Sequence, residues 1–136
     1  MRIAVIHVPA TRKGIQDYVK TLARGMETMG HRVDILDSWT DNGFMLPGYE
    51  YVAVCAEAVS GWGGKMPEPL QKVLGAGSGL VGKKSAAFLR KTSPFFVNRA
   101  LTNLMRAMEK EGMLVNWSEI LLNAPHAEAL GKRIGS

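Results

Sequence analysis

Residues 3–30 read I-A-V-I-H-V-P-A-T-R-K-G-I-Q-D-Y-V-K-T-L-A-R-G-M-E-T-M-G, and this stretch decides the fold. Ile3 to Val8 is a short run of apolar, mostly branched residues, the pattern of a parallel strand buried on both faces. Gly14 breaks the run. After it Ile15, Tyr18, Val19, Leu22, Ala23 and Met26 recur at helical spacing, and Gly30 stands where a glycine would end a helix. A strand therefore feeds a helix through a turn that carries a hydroxyl, two cations and a glycine. The start of a helix presents unpaired backbone N–H groups and a partial positive charge. With Thr11, Arg12 and Lys13 beside it, such a turn suits an anion, and a phosphate group in particular.

Outward from this unit the alternation continues. His31 to Leu36 reads as a second strand, and residues 37–48 as a turn-rich connection with room for only a short helix, its bends marked by Asn42-Gly43 and Pro47-Gly48. Tyr51 to Ala56 is a third strand. A glycine-rich loop and a helix with Pro67 near its first turn follow, with Leu70, Val73 and Leu74 on the apolar face. Lys84 to Leu89 makes a fourth strand, and a long amphipathic helix runs from about Val97, through Leu101, Leu104, Met105 and Met108, to Gly112. The fifth strand begins at Met113 to Val115 and resumes at Ile120 to Leu122, and Pro125 opens a last helix. Strands alternating with helices predict a doubly wound parallel sheet, with ligands above the strand C-termini where the winding reverses.

Composition agrees with one globular domain. The chain has 136 residues, 46% of them hydrophobic and 21% charged, with no apolar run long enough to cross a bilayer. The opening residues enter the strand directly and spell no signal sequence, which predicts a cytoplasmic protein. Its single cysteine, Cys55, lies in an apolar stretch and reads as core packing. The formal charge of +5 suits an anionic partner. Arg2, Lys20, Lys65, Lys72, Arg90, Lys110 and Lys132 are nevertheless scattered as a solvated surface would be, without the aromatic-interleaved stripe of a nucleic-acid binder.

Several motifs lead nowhere. Gly77 to Gly82 spells G-S-G-L-V-G and, with Lys83, nearly a P-loop, but a helix precedes it and a strand follows, the reverse of what nucleotide binding needs. A phosphorylatable receiver would need an acidic pair after strand one and an Asp ending strand three. His7 and Cys55-Ala56-Glu57 stand there, and Glu57 reads as a solvated or capping carboxylate. His7, His31 and His126 have no ligand spacing for a metal, and no Ser or Cys lies in an elbow suited to nucleophilic attack.

The turn T-R-K-G-I-Q resembles the flavodoxin phosphate loop, S/T-x-T-G-x-T, with Thr11, Gly14 and the following helix in place. Lys13 stands where the central Thr would be, Gln16 replaces the last one, and Pro9-Ala10 lengthen the loop. The segment A-E-A-V-S-G-W-G-G-K-M-P-E-P-L, residues 56–70, is similar to the family's aromatic and glycine loop before a proline-started helix. R-K-T-S-P-F-F-V-N-R, residues 90–99, falls where flavodoxins place a second loop on the flavin.

The resemblance spans nearly the whole chain. It implies one domain over residues 1–136 with a three-layer α/β fold: a five-stranded parallel sheet of order 2-1-3-4-5 and helices on both faces. It also implies non-covalent FMN binding and a role as an electron carrier or small oxidoreductase. Thr11, Arg12, Lys13, Gly14, Ile15 and Gln16 would then surround the phosphate. Ser60, Gly61, Trp62 and Gly63 would lie on one face of the ring, where the glycines admit close approach and Trp62 stacks, and Thr92, Ser93 and Phe95 would form the other wall. The alternative is a degenerate flavodoxin-like scaffold that has lost FMN and works through protein contact, with Trp62, Phe95 and Phe96 serving a redox or regulatory partner or a homodimer. A third use is another phosphorylated or anionic small molecule.

Overall fold

Ile3, Ala4, Val5, Ile6 and Val8 expose none of their surface, so their strand must be covered on both sides. The computed structural model of the chain describes residues 1–10, 14–39, 46–58, 66–76, 79–91 and 97–134. In order these form β1 (Arg2–Val8), α1 (Asp17–Thr28), β2 (Arg32–Asp37), β3 (Tyr51–Ala56), α2 (Glu68–Ala76), β4 (Lys84–Arg90), α3 (Val97–Lys110), β5 (Leu114–Leu121) and α4 (Ala124–Gly131). The strands make one sheet of order β2-β1-β3-β4-β5, parallel at every pairing. This is the 2-1-3-4-5 order that the sequence resemblance implies.

The period of two along each strand divides the core. Ala4, Ile6, Val8, Val52, Val54, Ala87 and Leu89 face one way and pack with Leu70 and Leu74 of α2 and with Ala100, Leu104 and Met108 of α3. Ile3, Val5, Ala53, Cys55, Ala86 and Phe88 face the other way and meet Tyr18, Val19, Leu22 and Met26 of α1 and Ala127 and Leu130 of α4. Helices thus cover both faces, and Cys55 is core packing as its sequence context predicts. Each large aliphatic side chain removed from water in these layers contributes about 1.5–3 kcal/mol.

The helix ends follow local rules. After α1, Gly30 takes φ +88° and donates its N–H to the Glu27 carbonyl, while the His31 N–H reaches Met26, the paired bonds of a Schellman stop. Gly112 ends α3 in the same way, with φ +85° and bonds to Glu109 and, through Met113, to Met108. At α4 the Asn123 side chain accepts the His126 N–H at 2.8 Å and Pro125 sits in the first turn.

Two expectations change. The fifth strand is continuous from Leu114 to Leu121; the register passes from Ser85↔Val115 to Ala86↔Trp117, so Asn116 is an extra residue whose bulge disguises the alternation. Ile15 precedes α1, which starts only at Asp17, although its side chain still packs against the α1 side of the core.

Helices α1 and α4 touch through glycine. A methyl group added at Gly25 would run into the Glu128 carbonyl, and one at Gly131 into the Leu22 carbonyl. Thr21 ties the same pair together, its hydroxyl donating to the Ala124 carbonyl at 2.9 Å. Gly25→Ala should therefore force the helices apart and lower the unfolding free energy by about 1–3 kcal/mol in a urea titration. Gly75→Ala in α2, where a methyl group meets nothing within 4 Å, should raise it, by up to about 1 kcal/mol. Equal effects from the two changes would contradict the contact.

Candidate functional site

The connection between β1 and α1 lies at the C-terminal edge of the sheet, above the point where the chain winds first to β2 and later to β3. Its entry is held on both sides. The Ser38 N–H donates to the His7 carbonyl and the Glu57 N–H to Val8, extending the two ladders past the strand ends. Beyond them the Trp39 indole N–H donates to the Pro9 carbonyl at 2.9 Å, and the Ala10 N–H donates to Glu57 Oε1 at 3.1 Å. Pro9 and Ala10, which lengthen this loop, are the two residues so fixed.

The far side of the loop is Gly14, whose φ of +73° turns the chain toward α1 at a conformation that L side chains rarely adopt. Gln16 is the N-cap residue in an extended conformation, and no side chain caps the helix among the described residues. Its carbonyl accepts from Val19 and Lys20, while the N–H groups of the first turn keep the donor character that favours an anion.

Glu57, expected to be solvated or capping, is buried, with 1% of its side chain exposed. Arg90, expected on a solvated surface, bends inward with 43% of its side chain exposed. Arg90 Nη1 lies 3.4 Å from Glu57 Oε2 and donates to the Gln16 side-chain oxygen, and the guanidinium sits 4.9 Å above the centre of the Tyr18 ring. Tyr18 in turn meets buried His7 edge to face at 5.8 Å. One cation thus joins the first turn of α1 to the ends of β3 and β4. A hollow of about 410 Å³ opens beside it, lined by Gln16, Asp17 and Tyr18 of the α1 start, Arg90, Leu121 ending β5, and Asn123 capping α4.

Of the residues that sequence reasoning placed at a cofactor, the structure brings Gly14, Ile15 and Gln16 together at the start of α1. Thr11, Arg12, Lys13, Ser60, Gly61, Trp62, Gly63, Thr92, Ser93 and Phe95 lie outside the described residues. Glu57, Arg90 and Tyr18 were missed as a group. Strand alternation carried the signal: Glu57 continues the face of Cys55, Arg90 that of Phe88, and the register Ala56↔Leu89 brings the next residue of each strand level. Among the described residues no three His, Cys, Asp or Glu side chains gather as a metal site, and no helix is long and apolar enough to cross a membrane.

No protein-family model matches the sequence, and no curated protein matches it. In structure the chain is similar to a flavodoxin from the domain Archaea, at a TM-score of 0.70 and 18% identity over 98% of this chain and 96% of that one. Oxidised flavodoxin 1 from Bacillus cereus gives a TM-score of 0.70 at 14% identity, over 96% of this chain and 95% of its own. Two-electron reduced Megasphaera elsdenii flavodoxin gives 0.66 at 14%, over 95% and 96%. The chain has the flavodoxin-like fold.

The donor set fits the phosphate end of FMN. A helix start that no described side chain caps, a left-handed glycine before it and a partly exposed guanidinium beside it are the groups a phosphate monoester takes.

Burial also sets the alkaline behaviour of the site. The Tyr18 hydroxyl finds no hydrogen-bond partner among the described residues. Burial pushes its pKa far above the ordinary 10.0, the nearby Cys55 and Glu57 push the same way, and Arg90 pulls against them. Burial raises the Cys55 thiol from 9.0 and pushes Tyr51 up to about 12. These groups keep their protons longer folded than unfolded, so their contribution is intact below the unfolded values and is lost as pH rises toward the folded ones. Urea midpoints should therefore fall between about pH 7 and about pH 10.5. Tyr18→Phe removes a hydroxyl with no partner among the described residues, so it should leave stability at neutral pH within about 0.5 kcal/mol or raise it, and make the alkaline fall shallower. An unchanged alkaline slope in Tyr18→Phe would count against this assignment.

Proposed function

We propose that the chain binds FMN non-covalently and serves as a cytoplasmic electron carrier for a redox or regulatory protein partner. The observation that carries this reading is the start of α1, which no side chain among the described residues caps, at the switch point of a sheet whose structural neighbours are flavodoxins. Two of those neighbours are known in oxidised and two-electron reduced forms, which supports a redox role for the shared fold.

In this reading the first-turn N–H groups of α1, together with Thr11, Lys13, Gly14 and Gln16, hold the phosphate. Arg90 adds a charge from β4 and fixes the Gln16 side chain through its oxygen. Trp62 and the segment from Thr92 to Phe95 enclose the ring and exclude water from its faces. The flavin supplies the reversible uptake of electrons, so the chain needs no acid, base or nucleophile of its own.

A second reading has its own support. The Ala10 N–H, which belongs to the same loop, already donates to a carboxylate within the protein. That bond favours a scaffold of this fold that works by protein contact without flavin.

Titration of FMN and of riboflavin into the apo-protein, followed by quenching of flavin fluorescence, separates the two. Saturable FMN binding with much weaker riboflavin binding is expected, and the absence of saturable quenching would retire the flavin reading. Lys13→Glu should weaken FMN binding by about a hundredfold or more through repulsion of the phosphate. Trp62→Ala should weaken FMN and riboflavin alike and shift the reduction potential. Negligible effects from both substitutions would sink the assignment of the site residues.

A further inference from the structure

The Ala10 N–H lies in the loop between β1 and α1, at the edge of the sheet where a backbone donor would serve an anion, and it is already taken. Glu57 Oε1 accepts it at 3.1 Å, while Oε2 of the same carboxylate faces Arg90 Nη1 at 3.4 Å. With 1% of its side chain exposed, Glu57 is poorly screened by water, so its charge acts at greater strength than a surface carboxylate would. Arg90 is shared: it answers Glu57, binds the Gln16 oxygen and lines the hollow at the start of α1. An entering phosphate would therefore meet a cation already half neutralised and a fixed negative charge behind it.

We propose that Glu57 is a specificity-determining residue of the switch-point site, an internal anion that lowers its affinity for dianionic ligands relative to neutral ones. The carboxylate occupies part of the donor set that would otherwise belong to a phosphate, and it holds the loop entry in place while doing so. The inference rests on the proposed reading that the ligand's phosphate lies at the start of α1.

Glu57→Gln tests it, because the amide removes the charge at nearly the same volume and keeps one oxygen for the Ala10 N–H, with an NH2 group in place of the oxygen that faces Arg90. In flavin-quenching titrations the ratio of riboflavin to FMN dissociation constants should rise about tenfold over the unsubstituted protein. A ratio unchanged within about twofold, with FMN bound by both proteins, overturns the inference and leaves the flavin reading standing.

Inorganic phosphate gives a readout that does not depend on flavin. At matched ionic strength, thermal unfolding of Glu57→Gln should shift upward on replacing chloride with phosphate by more than that of the unsubstituted protein. If FMN binds neither protein but phosphate stabilises the variant more, the role of Glu57 holds and the flavin reading falls. Equal shifts in both proteins, with no FMN binding, overturn the role. Glu57→Met removes the same charge at similar volume and carries the same expectations, should the Gln variant lose its fold.

Discussion

The constraint on which everything else depends is that the middle of the sheet is dry on both sides. The side chains of β1 from Ile3 on, of all of β3 and of β4 from Ser85 to Leu89 are buried whichever way they point, so alternation along these stretches decides which helix pair each residue meets and never whether it meets water. A polar or charged residue at the C-terminal end of such a strand must then find its partner within the protein. Glu57, just past β3, does so with a loop amide and with Arg90, and Arg90 does so with Glu57, Gln16 and the face of Tyr18. The same rule that builds the core therefore builds the polar cluster over it, and that cluster lies at the switch point of the sheet, where parallel sheets of this topology open their crevice.

The pair is better understood by what it positions than by what it stabilises. A buried carboxylate costs a great deal to remove from water, and a partly exposed guanidinium returns only part of that cost. What the arrangement secures is geometry: β3, β4, the first turn of α1 and the loop entry at Ala10 are connected through two side chains. Trp39 performs the neutral version of this task from the other side, holding Pro9 to the end of β2.

Much of this was legible in the residues. The strand-turn-helix of Ile3 to Gly30, the β3 run Tyr51 to Ala56 and the glycine stops at Gly30 and Gly112 are local signals, and the structure places each where its periodicity or backbone chemistry required. The bulge at Asn116 was not legible, because an extra residue cancels the alternation that identifies a strand, and the side chain that answers it, the Tyr51 hydroxyl at 2.7 Å from Asn116 Oδ1, comes from a distant part of the chain. Glu57 and Arg90 were misread for a related reason. Each taken singly is a charged residue at a strand end, which is ordinarily solvated; only the register between β3 and β4 makes them neighbours, and register is a property of the pair. Gly25 and Gly131 gave no sign of their contact either, since a glycine inside a helical pattern does not name the surface pressed against it.

That glycine contact bears on the order in which the molecule can assemble. Helix α1 is made roughly a hundred residues before α4, yet the two press backbone against backbone at Gly25 and Gly131, and Thr21 to Ala124 and His31 to Ile134 are hydrogen bonds that each join residues 103 positions apart. During synthesis, one side of the nascent sheet, with Val19, Leu22 and Met26 above it, must wait for residues 124–134 before its cover is complete. Contacts of such separation carry their loop-closure entropy in advance of any return, which slows folding and leaves an apolar face exposed in the interval. The direction in which α1 aims its first turn over the sheet is thus settled by residues made long after α1 itself.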